Sequence, residues 1–246
     1  VADSLDAFFD AAVPFLRGHT DAAALRDALG PPPSERHARF DFYRRLMAAN
    51  RGRVARSLYR GLAKVMGPSF DEAVTRLFDR FPTGHWDLNQ AVARMGEVIA
   101  ADWPDRPELA QLADYEWLHY QAARSPEAFD ADRDAVNPTA IARAYTHDVP
   151  GYARAARGCD STTPDAPAPT SITVIVFRDP ETLTVRYLQP DLPRLLVFAA
   201  ASGEADPATA AQSGVTAEAA RAATERLIRV GVLGAPARDR SEALFR

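Results

Sequence analysis

One cysteine, Cys159, and one lysine, Lys64, occur in 246 residues. A lone cysteine excludes an intrachain disulfide and any cage of paired thiolates. Its setting, Gly158-Cys159-Asp160-Ser161-Thr162, reads as a linker, which argues against a catalytic thiol. No apolar run approaches the ~18 residues needed to span a bilayer. The opening Val1-Ala2-Asp3-Ser4 is acidic and has no charged-then-apolar leader. The sequence therefore predicts a cytoplasmic protein without a membrane partner. Motifs that carry chemistry are also missing. There is no His-Glu-x-x-His, no Gly-x-x-x-x-Gly-Lys, no Gly-x-Gly-x-x-Gly after a strand and no Gly-x-Ser-x-Gly elbow. No catalytic residue and no metal ligand is assigned, and independent catalysis is not expected.

What is present is an ordinary globular composition, 47% hydrophobic and 25% charged with a net charge of -4, enough for one large domain or two modest ones. The charge is uneven. Between Pro31 and Met66 stand nine cations (Arg36, Arg39, Arg44, Arg45, Arg51, Arg53, Arg56, Arg60, Lys64) against Glu35 and Asp41, so the rest of the chain is acidic. Such a segment suits an acidic partner or nucleic acid. Arg53, Arg56, Arg60 and Lys64 recur at helical spacing, which fits either a solvated face or a docking stripe. The aromatic interleaving of single-strand binders is missing there.

Residues 1–157 read as an all-helical N-terminal domain. Apolar residues recur at helical spacing over Ser4–Arg17 and Thr20–Leu29, the latter stopped by Gly30 and three prolines. A long helix is predicted from about Ser34 to Met66, ended by Gly67-Pro68, and another follows with Phe70, Val74, Leu77 and Phe78 buried. Leu88–Ile99, Pro107–Arg124 and Pro138–Tyr145 are predicted as three further helices. Glu116 and His119 form one Glu-x-x-His, a spacing used in di-iron bundles, but such a site needs two copies and further carboxylates. The plainer reading is a pair of polar groups bonding neighbouring helices. His85-Trp86-Asp87-Leu88-Asn89 is the densest polar–aromatic run. Asp87 can cap the helix that follows, or the run can form a recognition edge.

Composition changes at Gly158, and residues 158–171, with Pro164, Pro167 and Pro169, read as a linker. From 172 to 246 the period falls from 3.6 to 2 and then returns. Ile172–Phe177 and Thr182–Leu188 form a hairpin about Arg178-Asp179-Pro180-Glu181, and three helices follow. Gly203 and Gly231 end two of these, and Thr216 caps the last. The predicted fold class is thus mainly α, with a small α+β C-terminal domain of winged-helix shape. Two strands alone leave unpaired edges, so an extended peptide could add as a further strand. On that reading Val174 and Val176 lie on the accepting strand, and Arg178, Arg186 and Arg221 meet acidic peptide residues. The alternative is a winged-helix DNA-binding regulator, with helix 216–230 in a major groove. Its Ala-rich face with Glu218 and Glu225 is a poor match to phosphates.

Phe42-Tyr43-Arg44-Arg45-Leu46 with Asn50, then Met66-Gly67 and Phe70, then Leu109, Leu112 and Asp114-Tyr115-Glu116-Trp117 resemble the HvfC/BufC-type family, which carries a DNA-binding label. The match spans about residues 40–124. The resemblance implies a non-catalytic partner subunit of a TIM-barrel enzyme with multinuclear non-haem iron, of the kind that modifies cysteines in ribosomally made peptides in methanobactin and 3-thiaglutamate biosynthesis. The iron would reside in the barrel partner, so no cofactor is implied for this chain. The C-terminal segment is similar to the PqqD-type recognition element that captures a leader peptide by strand addition. Together these imply an accessory subunit in a heterodimer that presents a precursor peptide's cysteine to the partner. Docking on the barrel would use His85, Trp86, Asp87 and Asn89, or the basic helix through Arg53, Arg56 and Arg60.

Overall fold

The computed structural model describes residues 5–17, 20–30, 36–81, 87–158, 163–205 and 211–245. It is mainly α, with one small antiparallel sheet. In chain order the helices are α1 (Leu5–Arg17), α2 (Ala22–Leu29), α3 (Arg36–Leu58), α4 (Arg60–Met66), α5 (Ser69–Arg80), α6 (Leu88–Ala91), α7 (Met95–Asp102) and α8 (Pro107–Arg124). Strand β1 (Ile141–His147) and helix α9 (Val149–Gly158) follow, then β2 (Pro169–Arg178) and β3 (Val185–Leu188). The chain closes with α10 (Leu192–Ser202), α11 (Ala217–Arg229) and α12 (Ala237–Leu244). It resolves into two compact units, one of Val1–Ala113 with Ala153–Pro164, the other of Asp114–Tyr152 with Asp165–Arg246.

In the first unit, α3 to α8 bury Ala55, Tyr59, Leu62, Phe70, Leu77, Val92, Met95, Ile99 and Leu109. The predicted helix 34–66 breaks at Tyr59, whose backbone (φ -105, ψ 55) leaves the helical region. Burial explains the break, because the Tyr59 ring is fully enclosed and its hydroxyl donates to the Val92 carbonyl at 2.7 Å. That bond satisfies a phenol that would otherwise be stranded in the core. The predicted helix 88–99 is likewise two pieces, α6 and α7, joined by a turn at 92–94. Asp102 anchors two helices: it accepts from Arg80 at 2.8 Å and lies 3.4 Å from Arg76. Hydrogen bonding to Arg80 holds its carboxyl below the usual carboxylate range. In α1 and α2, Ala12, Phe15 and Leu25 form a separate small core, with the Arg44 guanidinium over the Phe15 ring.

The second unit corrects one predicted helix. Pro138–Tyr145 is not a helix. Asn137-Pro138-Thr139-Ala140 is a turn, closed by a bond from Ala140 N–H to the Asn137 carbonyl at 2.8 Å, and β1 follows. Eight residues are too few for periodicity to separate a helix from a strand, and the Asn-Pro pair is itself a turn signal. Residues 1–157 are therefore not helical throughout. The hairpin becomes a three-stranded antiparallel sheet in the order β1-β2-β3, with Ile141 opposite Val176 and Arg143 opposite Val174. Strand alternation splits the sheet into two faces. Ile175 and Phe177 join Val197, Phe198, Ala223, Leu227, Val232 and Leu233 in one core. Tyr145 and Tyr187 lie on the other face, in ring contact with Tyr115 of α8 at 6.3 and 5.9 Å.

The predicted caps hold, but Thr216 does not open the last helix: α12 follows unpredicted, and the short helix expected from Asp206 falls largely outside the described residues. Thr216 accepts from Ala219 N–H at 3.2 Å, and Gly231 (φ 79) ends the last turn after α11 with Val232 and Leu233 buried behind it. Gly203 is left-handed at φ 77. No described helix is long and apolar enough to cross a membrane.

Candidate functional site

The most specific local architecture lies around the β2–β3 hairpin. Asp179 is 6% exposed and opens the turn. Its carboxylate accepts from the N–H groups of Thr182 and Glu181 and from the Arg186 guanidinium at 2.6 Å. The Thr182 N–H and Arg186, working together, lower its pKa to about 2. The turn closes with Asp179 N–H donating to the Thr184 carbonyl and Leu183 N–H donating to the Asp179 carbonyl, both at 2.9 Å. Leu183 sits at φ 56, the left-handed region, with 68% of its surface exposed. A leucine in that conformation is strained, and here the Asp179 bonds impose it.

The hairpin root is equally fixed. Arg178 donates from its main chain to the Thr139 hydroxyl at 2.8 Å, and its guanidinium donates to the Ser125 carbonyl at 2.7 Å and to the Glu127 carbonyl. Both nominated arginines of the hairpin are therefore engaged within the chain, Arg178 with the segment after α8 and Arg186 with Asp179. Val174 and Val176 are fully buried on β2, the central strand. Val176 is paired on both flanks, with Ile141 and Tyr187. This corrects their assignment to the accepting strand: β1 takes the edge that two strands alone would have left open.

The edges of the sheet are β1 and β3. A register irregularity between Tyr145 and His147 interrupts β1, a device that blunts an edge. Strand β3 pairs regularly with β2, Leu188 to Ile175 through Val185 to Arg178. Hydrogen-bonded and non-bonded pairs alternate in such a ladder. Since Asp179 and Thr184 are joined by a ladder bond, the main-chain groups of Val185 and Tyr187 turn away from β2 toward the outer edge.

Beneath β3 lies an aromatic cluster. Tyr115 stacks edge-on to His119 at 4.6 Å, and His119 lies 6.5 Å from Tyr187. The Tyr145 hydroxyl donates to Asp114 at 2.8 Å, and Asp114 also meets Arg143 at 3.2 Å. Burial, followed by the Asp114 charge, raises the Tyr145 pKa far above the ordinary phenol value, so the hydroxyl is a fixed donor. Glu116 is buried beside this cluster on α8, and among the described residues no group of His, Cys, Asp and Glu is arranged to hold a metal ion.

A cleft of about 310 Å³ separates α11 and α12, floored by Ala220, Thr224 and Ser241 and walled by Arg221, Glu225 and Arg238. Arg238 grips Glu225 through two bonds at 2.7 and 3.1 Å. Arg221 stands exposed on the rim.

Of the docking residues, His85 and Trp86 lie outside the described residues, as does Cys159. Asp87 caps α6, accepting from Asn89 N–H at 2.9 Å, and the Asn89 side chain donates back to it at 2.8 Å. Arg53 and Arg56 are exposed on α3, bonded to Asn50 and Asp71 respectively. The break at Tyr59 puts Arg60 and Lys64 on α4, so the four cations do not continue one helical stripe. Sequence reasoning missed Asn137, Tyr145 and Tyr187 and named Asp114 only within the family motif, and of the three missed only Asn137, before Pro138, carried a local signal. Comparison with known protein families and with curated proteins gives no match to this chain.

Proposed function

We propose that this chain is a cytoplasmic, non-catalytic accessory subunit. It would bind a ribosomally synthesised precursor peptide and present the peptide's cysteine to an iron-dependent TIM-barrel partner. The observation that carries the reading is the regular outer edge of β3, with the main chain of Val185 turned outward on a sheet packed on both faces. An extended peptide can add there through main-chain bonds, which give affinity without demanding one sequence. The accepting residues on this reading are those of β3, and Arg221 remains available to an acidic side chain. Holding the leader at one end raises the effective concentration of the cysteine at the partner, which is all that a subunit without its own chemistry needs to contribute.

The test uses a dye-labelled synthetic peptide from a small cysteine-bearing reading frame beside the gene, titrated into the full chain, with hydrogen exchange on the complex. The reading expects binding with protection concentrated at 185–188. Protection confined elsewhere, or no binding at tens of micromolar as roughly expected for strand addition, overturns it. Tighter, salt-dependent binding of duplex DNA would favour the regulator reading.

A further inference from the structure

Helix α3 carries apolar side chains on two faces. Inward, Ala55 is fully buried and Val54 and Leu58 are half-buried. Outward, Phe42 and Leu46 expose 56% and 43% of their surfaces; Tyr43, 52% exposed, stands about 60° from Leu46 on the Val54 side. At about 100° per residue, Phe42, Leu46, Ala49 and Arg53 fall within one sector about 60° wide. A helix with a single core packs one stripe, and a second, exposed apolar stripe marks a surface for a partner. Beyond Leu46 the side chains shrink to Ala48, Ala49 and Gly52, forming a shallow depression bounded by Arg53, Arg56 and Asp71. A Cβ added at Gly52 would meet nothing within 4 Å, so the depression is open.

Charge identifies the occupant. Arg45 flanks the apolar strip and Arg53 closes its C-terminal end, and neither has a carboxylate partner among the described side chains; Arg53 donates to the neutral Asn50. We propose that this face of α3 docks an acidic amphipathic helix of another protein, its apolar ridge on Phe42, Leu46 and Ala49 and its carboxylates on Arg45 and Arg53. Small residues at the contact let two helix axes approach to about 8–10 Å. A second copy docking by the same face would set arginine against arginine. A nucleic-acid backbone would answer the arginines but leave Leu46 and Ala49 against phosphate. The inference is independent of peptide capture at β3.

The experiment measures fluorescence anisotropy of a labelled synthetic helix of about 18 residues, with a leucine–alanine face flanked by glutamates, titrated with the full chain. Its isomer carrying lysine in place of glutamate is the control. The acidic helix should bind at least about 10-fold tighter than the lysine isomer. Phe42→Ser and Leu46→Ser should each weaken it about 5-fold or more. Arg53→Glu should narrow the difference between the two helices. Thermal melting of all three variants should match the parent, which separates lost binding from lost folding. Equal or absent binding of both helices, or indifference to the three substitutions, overturns the proposal. So does displacement of the acidic helix by a single-stranded oligonucleotide at lower concentration, or self-association that Leu46→Ser abolishes.

Discussion

The side-chain amide of Asn137 donates to the Gly231 carbonyl at 2.8 Å, joining positions 94 residues apart. The same nitrogen donates to the Arg178 carbonyl at 3.0 Å, and its oxygen accepts from the Thr139 N–H and hydroxyl at 3.0 and 2.7 Å. One buried amide thus ties the entry to β1, the end of β2 and the end of α11, using both donors and both acceptor positions. Replacing it with alanine strands several buried groups at once, each costing about 1–3 kcal/mol. Asn137→Ala should lower stability by about 3 kcal/mol in urea unfolding. Asn137→Asp should do no better, since a carboxylate offers no hydrogen to two carbonyl oxygens. A loss below about 1 kcal/mol would mean that water replaces these bonds and the junction is not an anchor.

Asp179 gives the hairpin a dependence on pH. Its carboxyl titrates near 2 in the folded chain, held down by the Thr182 N–H and Arg186, whereas an unfolded aspartate titrates near about 3.9. A depressed folded value means that the unfolded chain takes up the proton first as pH falls. The contribution is complete above about pH 4 and is lost as pH drops toward 2, amounting to about 2 kcal/mol. Asp179→Asn should therefore destabilise the protein at neutral pH, and parent and variant should converge near pH 2. Denaturant unfolding across that range checks it, and a difference that persists unchanged to pH 2 would assign the effect to packing instead.

Leu183 offers a gain. At φ 56 its Cβ crowds the following carbonyl, at about 1–2 kcal/mol, while glycine adopts that region freely but loses more chain entropy on folding. Leu183→Gly should raise stability by about 0.5–1 kcal/mol, read as a higher urea midpoint at unchanged slope. Since this leucine is 68% exposed, little packing is forfeited.

How far the sequence revealed all this depended on the range of the forces involved. Caps and stops are local chemistry, and Asp87, Thr216, Gly203 and Gly231 were legible because one side chain or one φ decides each. The β2–β3 turn was legible only in part: Asp179-Pro180 marked it, but Arg178 belongs to β2 and residues 182–184 to the turn, so β3 begins at Val185. Strand β1 was not, because Ile-Ala-Arg-Ala-Tyr-Thr-His favours neither period over seven residues and becomes a strand by pairing with residues 169–176. That omission misplaced the open edge, and Val174 and Val176 followed it into the core. The arginines misled in another way: composition shows that Arg178 and Arg186 exist, not that carbonyls and Asp179 already occupy them.

Gly234 shows a close approach that no local pattern announces. A Cβ there would fall 2.2 Å from the Asp134 carbonyl and 2.5 Å from that of Ala131. Both are backbone oxygens and cannot swing aside. Gly234→Ala should cost about 1–3 kcal/mol, as overpacking does, and Gly203→Ala serves as a comparison because its surroundings are open and only its left-handed φ resists. Thermal melting that ranks Gly203→Ala as the more damaging would contradict the close approach.

The outer edge of β3 can be closed without dismantling the sheet. Proline lacks the N–H, and at Val185 that hydrogen points away from β2 by the alternation of the ladder, so the bonds to β2 survive. Val185→Pro should leave the melting temperature within a few degrees of the parent, yet weaken a strand-adding peptide about 10-fold or more, since an outward donor is lost and the ring obstructs the approaching chain. Arg186→Ala behaves differently: it frees Asp179 and loosens the turn, so its effect should appear in stability before it appears in binding. If Val185→Pro binds the peptide as tightly as the parent, main-chain addition at β3 is not the mode of capture. The exposed rim of the α11–α12 cleft, with Arg221, would then be the surface left to explain any affinity.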